Sequence, residues 1–142
     1  GLVGANRRTI ENGYAMGMVI GGQNARVGGL VGLNALDRRA NGTIMTSYST
    51  GTLSGAAGSY VGGVIGYDQN GGASSNAYWD LDTSGIDDPG HGAGNLLNDP
   101  GLVGLSDLTL KSGLPAGFAI STWAEADNIN GGYPYLISIP PD

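Results

Sequence analysis

Cysteine is absent from the 142 residues, so a disulfide framework and cysteine-ligated metal sites are excluded. No apolar run approaches the ~20 residues of a membrane span, and no secretory signal stands at the start. Charged residues are also sparse, at 13% of the chain, and long runs of helix-forming residues are missing. These absences favour a strand-rich protein over a helical bundle, with no membrane span in this sequence.

Catalytic signatures are equally scarce. The one histidine, His91, lies in a Gly-His-Gly loop, and a lone loop histidine is ordinary. The chain has no Gly-x-Ser-x-Gly nucleophile motif and no phosphate-binding loop of the Walker type. We therefore do not expect an enzyme.

Glycine, by contrast, is abundant and periodic. It supplies 28 of the 142 residues, far above the ordinary ~7%. The block GGLVGLN at 28–34 occurs again, altered, as GGVIGYD at 62–68, and the chain opens on a third copy, GLVGAN. A second block follows each copy and ends in Tyr14, Tyr48 or Tyr78. Self-similarity at this period is typical of a solenoid, in which each repeat buries its apolar side against the next.

The repeats predict an all-β fold, a parallel β-helix (β-solenoid) of about three turns over residues 1–85, with Tyr48 and Tyr78 in register. Residues 86–142 are predicted to be a loop-rich cap with one short helix, N-capped by Ser106, and a last edge strand at 133–137. Trp79, Trp123 and Tyr135 are the large side chains available to cover the final turn. Since the chain begins in mid-repeat, we interpret it as a piece of a longer solenoid, with any export signal upstream.

The motif Gly-Gly-Leu-Val-Gly-x-Asn at 28–34, followed by Ile-x-x-Ser-Tyr-x-Thr-Gly at 44–51, resembles the GLUG repeat of large secreted bacterial surface proteins. Residues 78–85, 108–117 and 132–136, with Trp123, resemble the segment that often follows these repeats. The host proteins are similar to filamentous-haemagglutinin-like, two-partner-secreted adhesins. The resemblance implies a right-handed parallel β-helix, secretion to the cell surface and adhesion. It implies no catalytic residues.

Arginines are the main candidate for ligand binding. Arg7-Arg8 and Arg38-Arg39 occupy corresponding loops of adjacent repeats, and stacking would set them about 5 Å apart. Such a ladder suits sulfate, carboxylate or phosphate groups of an anionic glycan. The alternative is that these arginines form salt bridges with Glu11 and Asp37 or only keep the loops soluble. Nucleic acid is not expected, because the chain carries a net charge of −6.

Carboxylates are dense in one segment, which holds Asp80, Asp82, Asp87 and Asp88. Asp80-x-Asp82-x-Ser84-Gly85, followed by Asp87, resembles the first half of a calcium loop, but its twelfth position is His91 instead of glutamate. The alternative is that Asp80 and Ser84 bond the backbone of a turn. Calcium is therefore an open alternative, and no other cofactor is expected.

Three classes of function remain. The first is a structural and adhesive segment of a secreted bacterial surface protein, whose partners would be glycans or proteins of host or neighbouring cells, or other solenoids. The second is a polysaccharide-binding or polysaccharide-cleaving β-helix, which needs a suitable groove. The third is a calcium-stabilised extracellular repeat module; an ice-binding variant is disfavoured because no Thr-x-Thr row repeats.

Overall fold

The computed structural model describes residues 1–141, which form short strands and very little helix. The strands are β1 (Val3–Asn6), β2 (Thr9–Glu11), β3 (Tyr14–Ala15), β4 (Val19–Gly21), β5 (Arg26–Gly28), β6 (Val31–Asn34), β7 (Leu36–Asp37), β8 (Ala40–Asn41), β9 (Thr43–Ser49), β10 (Leu53–Gly55), β11 (Tyr60–Gly62), β12 (Ile65–Asp68), β13 (Ser75–Asp80), β14 (Leu102–Leu105), β15 (Trp123–Ala124) and β16 (Tyr135–Leu136). One α-helix, α1, spans Asp107–Leu110, and a 3-10 segment spans Asn130–Gly132. The predicted all-β class is confirmed.

Equivalent strands of successive repeats pair in parallel. One sheet has the order β1-β6-β12, another joins β2 and β3 to β9, β13 and β14, and the pairs β4-β10 and β5-β11 are also parallel. Tyr14 pairs with Tyr48, and Tyr48 pairs with Tyr78, as the tyrosine spacing predicts. The interval between equivalent residues thus sets the register.

One antiparallel hairpin interrupts the parallel pairing, where the sequence predicted only a loop. Asn6 pairs with Asn34 and Thr9 with Thr43, so repeat 2 carries extra residues between these two positions. The extra residues fold out as β7 and β8, with Leu36 opposite Asn41. The prediction of parallel strands over residues 1–85 is therefore wrong for this insertion, whose two strands are antiparallel.

The core lies between the sheets and consists of aliphatic side chains and one indole. Leu30, Val31, Ile44, Val64, Ile65 and Trp79 are fully buried in it. Glycine is required beside the indole, because a Cβ on Gly63 would lie 2.3 Å from the Trp79 ring. The sequence predicted that Trp79 would cover the end of the repeats, whereas the structure places it inside the core.

Parallel pairing continues past residue 85, the predicted end of the repeats. Strand β14 pairs in parallel with β13, Ile65 bridges Ala93 in parallel, and Gly63 N donates to His91 O at 2.9 Å. The segment 86–104, interpreted as loop from its sequence, thus contains a degenerate further level. Its apolar pattern is weak because Leu102 and Trp79 already occupy the space: a Cβ on Gly92 would lie 2.6 Å from Leu102 Cβ and 2.9 Å from the Trp79 ring.

The C-terminal segment after β14 packs along the side of the repeats. Helix α1 begins as predicted, with the Ser106 side chain accepting from Thr109 N, but it is a single turn. Trp123 is buried, and its indole N–H donates to Asn12 Oδ1 at 3.2 Å. Tyr135 lies in β16, which pairs antiparallel with β15. The segment therefore reaches back from the last repeat to the first, alongside the tyrosine column.

Candidate functional site

The arginine pairs predicted to form a ladder occupy different settings. Arg7 Nη1 lies 3.4 Å from Asp37 Oδ2, in an exposed ion pair. Arg38 and Arg39 lie at the tip of the β7–β8 hairpin, while Arg8 lies in the short connection between β1 and β2. All are exposed, and among residues 1–141 only Arg7 of the four has an ion-pair partner in the structure. Because Arg38 and Arg39 lie on the inserted hairpin, they are not in strand register with Arg7 and Arg8, and the predicted ladder does not form. The four arginines still make the loop after β1 and the β7–β8 hairpin positively charged.

Asp80 and Ser84, predicted as calcium ligands, accept hydrogen bonds from the backbone of a turn, which was the alternative to calcium binding. Asp80 Oδ1 accepts from Asp82 N at 2.8 Å and from Thr83 N at 3.2 Å. Ser84 Oγ accepts from Ile86 N. Asp82 Oδ2 accepts at 2.8 Å from Asp107 N, the first residue of α1. Asp87 is exposed. The carboxylates of this loop are thus largely occupied by backbone donors.

The tyrosine column lies beneath the C-terminal segment. Tyr48 is fully buried, and its hydroxyl donates to Pro134 O and accepts from Asn130 Nδ2. The Tyr78 hydroxyl donates to Ala116 O at 2.8 Å. Burial raises the pKa of the Tyr48 phenol above its ordinary value. Because these rings face protein and not water, a sugar-stacking row on this column is disfavoured.

A second aromatic group lies on the outer surface, and no motif in the sequence marks it. The Arg26 guanidinium lies 5.0 Å from the centre of the Tyr67 ring, and Tyr60 meets that ring edge-on at 4.8 Å. Tyr60 is 43% exposed. The repeat spacing could have revealed this group, because it pairs Arg26 with Tyr60 on the neighbouring strand. In such a group, a tyrosine ring can stack on a sugar ring, and the arginine can bind an acidic group of the same sugar.

Two buried carboxylates form the most unusual polar group. Asp68 and Asp99 are only 3% and 5% exposed, and the Oδ2 atom of each has no hydrogen-bond partner. Burial, with a smaller contribution from the neighbouring Asp68, raises the pKa of Asp99 to about 6, against the lowering effect of the hydrogen bond from Gly72 N. These residues are 31 positions apart in the printed sequence, so no local motif announces the pair.

His91 remains a surface residue of the loop that precedes the degenerate level. Its Nδ1 lies 2.9 Å from Asp88 Oδ2, and its side chain is 42% exposed. The contact joins residues i and i+3 of one turn, which is a local interaction typical of a surface loop.

The three comparisons with known proteins return no match: no family model, no curated protein and no solved structure is similar to the chain. Across residues 1–141, no helix has the length and apolar character that crossing a membrane would require.

Proposed function

We propose that the chain is a structural and adhesive segment of a secreted bacterial surface protein, and that its repeats form a right-handed parallel β-solenoid. One observation carries the proposal: a single backbone pattern recurs from level to level. Leu2 and Val3 both donate to Leu30 O, Leu30 and Val31 both donate to Val64 O, and Val64 and Ile65 both donate to Gly92 O. A chain whose levels repeat one hydrogen-bond pattern makes a stiff rod, which suits a spacer or a display surface.

The charge distribution supports an anionic partner for the first half. Residues 1–62 hold five arginines against two acids, for +3, whereas residues 63–142 hold one lysine against ten acids, for −9. The exposed Arg8, Arg38 and Arg39 belong to the positive half, as does Arg26. An acidic surface polysaccharide would therefore be oriented towards the N-terminal repeats, with an affinity that falls steeply with salt.

Retention on a heparin-like or acidic-polysaccharide resin at low salt tests this function. The wild type should be retained and should elute as salt rises, and the variant Arg7→Ser/Arg8→Ser/Arg38→Ser/Arg39→Ser should flow through. The matched control replaces the same four residues by lysine, which keeps the charge and should keep most of the retention. Circular dichroism should show the same strand content in all three proteins.

Absence of wild-type retention at low salt would overturn glycan binding and leave only the spacer role. Equal retention of the serine variant and the wild type would reject the arginine loops as the binding surface.

The Arg26–Tyr60–Tyr67 group specifically favours the alternative of a polysaccharide-binding β-helix protein. Tyr60→Ala would then weaken retention even though it removes no charge, because a stacking surface for the sugar ring is lost. Incubation of the wild type with the same polysaccharide separates binding from cleavage, since cleavage releases new reducing ends and binding does not.

A further inference from the structure

A ladder of polar side chains runs through the repeats and contains one acid. Asn6 Nδ2 donates to Asn34 Oδ1 at 3.0 Å, and Asn34 Nδ2 donates to Asp68 Oδ1 at 3.1 Å. Asn95 continues the column, accepting from Asp68 N at 2.7 Å and donating to Asp68 O at 2.8 Å. Amides alone would serve this ladder, because each can donate and accept. The carboxylate at position 68 therefore needs a separate explanation.

Each member of the Asp68–Asp99 pair has one satisfied oxygen and one unsatisfied oxygen. Asp68 Oδ1 also accepts from Asn70 N at 2.7 Å, and Asp99 Oδ1 accepts from Gly72 N at 2.6 Å. Both Oδ2 atoms are buried without a partner, and the backbone donors of the two Oδ1 atoms, Asn70 N and Gly72 N, lie two residues apart on one connection. Two buried acids, each with an unsatisfied oxygen, therefore lie close together against this connection.

Such an arrangement is unfavourable unless something lies between the acids. Carboxylates are ordinarily ionised near neutral pH, and two unpaired buried negative charges in contact carry a large desolvation and repulsion cost. A cation between the unsatisfied oxygens would remove that cost. We propose that Asp68 Oδ2 and Asp99 Oδ2 bind a divalent metal ion, and that the ion is calcium.

Calcium fits the donor chemistry of this place. It is a hard ion that takes six to eight oxygen ligands in flexible geometry, from carboxylates, backbone carbonyls and water. The connection at 69–73 follows Asp68 directly, its Gly71 and Gly72 are exposed, and it is the source of the backbone donor to Asp99. Its carbonyls and water would complete the coordination, with a dissociation constant on the order of 10⁻⁴ to 10⁻³ M.

The ion would tie two connections together, the one after β12 and the one before β14. It would stabilise the last levels of the repeats, and this site is separate from the Asp80–Asp87 loop. The proposal does not depend on glycan binding by the arginine loops.

Thermal unfolding with and without calcium tests the proposal on the full chain. After dialysis against EDTA at pH 7.5, 10 mM CaCl2 should raise the wild-type Tm by about 4 °C, and titration calorimetry should show one ion per chain. In Asp99→Asn the calcium response should disappear. The Tm of this variant in EDTA should exceed that of the wild type, because the new amide donates to Asp68 Oδ2 and relieves the repulsion.

Asp87→Asn is the matched control, since it removes an exposed carboxylate from the acidic loop. It should keep the full calcium response. Absence of a wild-type response, or a response that survives Asp99→Asn, would overturn the proposal. The proposal would also be overturned if mild acid, and not calcium, stabilised the EDTA-treated wild type. That result would mean that Asp68 and Asp99 share a proton.

Discussion

The rings of Tyr14 and Tyr48 stack face to face, with centres 5.3 Å apart and planes 3° apart. Their strands are paired in parallel, so the register of the backbone sets the stacking of the side chains. Trp123 lies 6.0 Å from each ring and covers both. The two tyrosines therefore link the repeats to the C-terminal segment.

Tyr48→Phe should lower the free energy of unfolding by about 0.5–1.5 kcal/mol. The change removes the hydroxyl that donates to Pro134 O and accepts from Asn130 Nδ2, so two hydrogen bonds are lost, while Asn130 Nδ2 still donates to Pro134 O at 3.0 Å. Urea denaturation followed by tryptophan fluorescence measures the loss. Tyr60→Phe at the half-exposed ring should change the free energy by less than ~0.5 kcal/mol; equal effects of the two changes would contradict the role assigned to Tyr48.

Trp79 and Gly63 should be strongly coupled. Trp79→Ala should cost about 3–5 kcal/mol through the cavity it leaves. Gly63→Ala should be destabilising in the wild type, because its Cβ would lie 2.3 Å from the indole, and much less so in the Trp79→Ala background. A double-mutant cycle from urea denaturation measures the coupling, and strictly additive effects would show that the two residues do not compete for space.

Thr46→Asn should stabilise the protein by on the order of 1 kcal/mol. Thr46 has φ of 42°, a left-handed conformation that a β-branched residue adopts with strain, while Asn12 and Asn76 hold the corresponding positions at 54° and 49°. Differential scanning calorimetry should show a higher Tm. Thr43→Asn, in the extended strand β9, serves as the control and should not raise it; a lower Tm for Thr46→Asn would mean that the Thr46 hydroxyl bond to Asn12 outweighs the strain.

The Asp107–Tyr133 contact should make stability depend on acid. The hydrogen bond from the Tyr133 hydroxyl, aided by Lys111, holds the pKa of Asp107 below its ordinary value. A carboxyl whose pKa is lower in the folded state stabilises the fold above its unfolded pKa, about 3.8–3.9, and loses that contribution as the pH falls further. The Tm difference between wild type and Tyr133→Phe should therefore be constant from pH 7 to 5 and shrink below pH 4.

A difference that stayed constant down to pH 3 would assign the effect of Tyr133→Phe to packing alone. Ser112→Ala, a change at a nearby exposed hydroxyl, should show no such pH dependence.

Periodicity by itself determined the class of fold and the register. The glycine and tyrosine intervals predict that Tyr48 pairs with Tyr78, and Ser106 predicts the start of α1, because each signal lies within a few residues of the structure it specifies. Such signals can be predicted from the sequence without knowledge of the tertiary structure.

Only the tertiary structure decided what the long-range contacts do. Trp123 bonds Asn12 across 111 positions, which turns the expected end cap into a lateral cover. The insertion before Thr43 folds out and separates arginines that the spacing had aligned. Asp68 and Asp99, 31 positions apart, both accept hydrogen bonds from the connection at 69–73. Asp80 and Asp82, which resembled calcium ligands, accept from backbone donors of their own turn and of α1. Which polar atom remains unsatisfied depends on every neighbour that packs around it, and those neighbours come from several repeats at once.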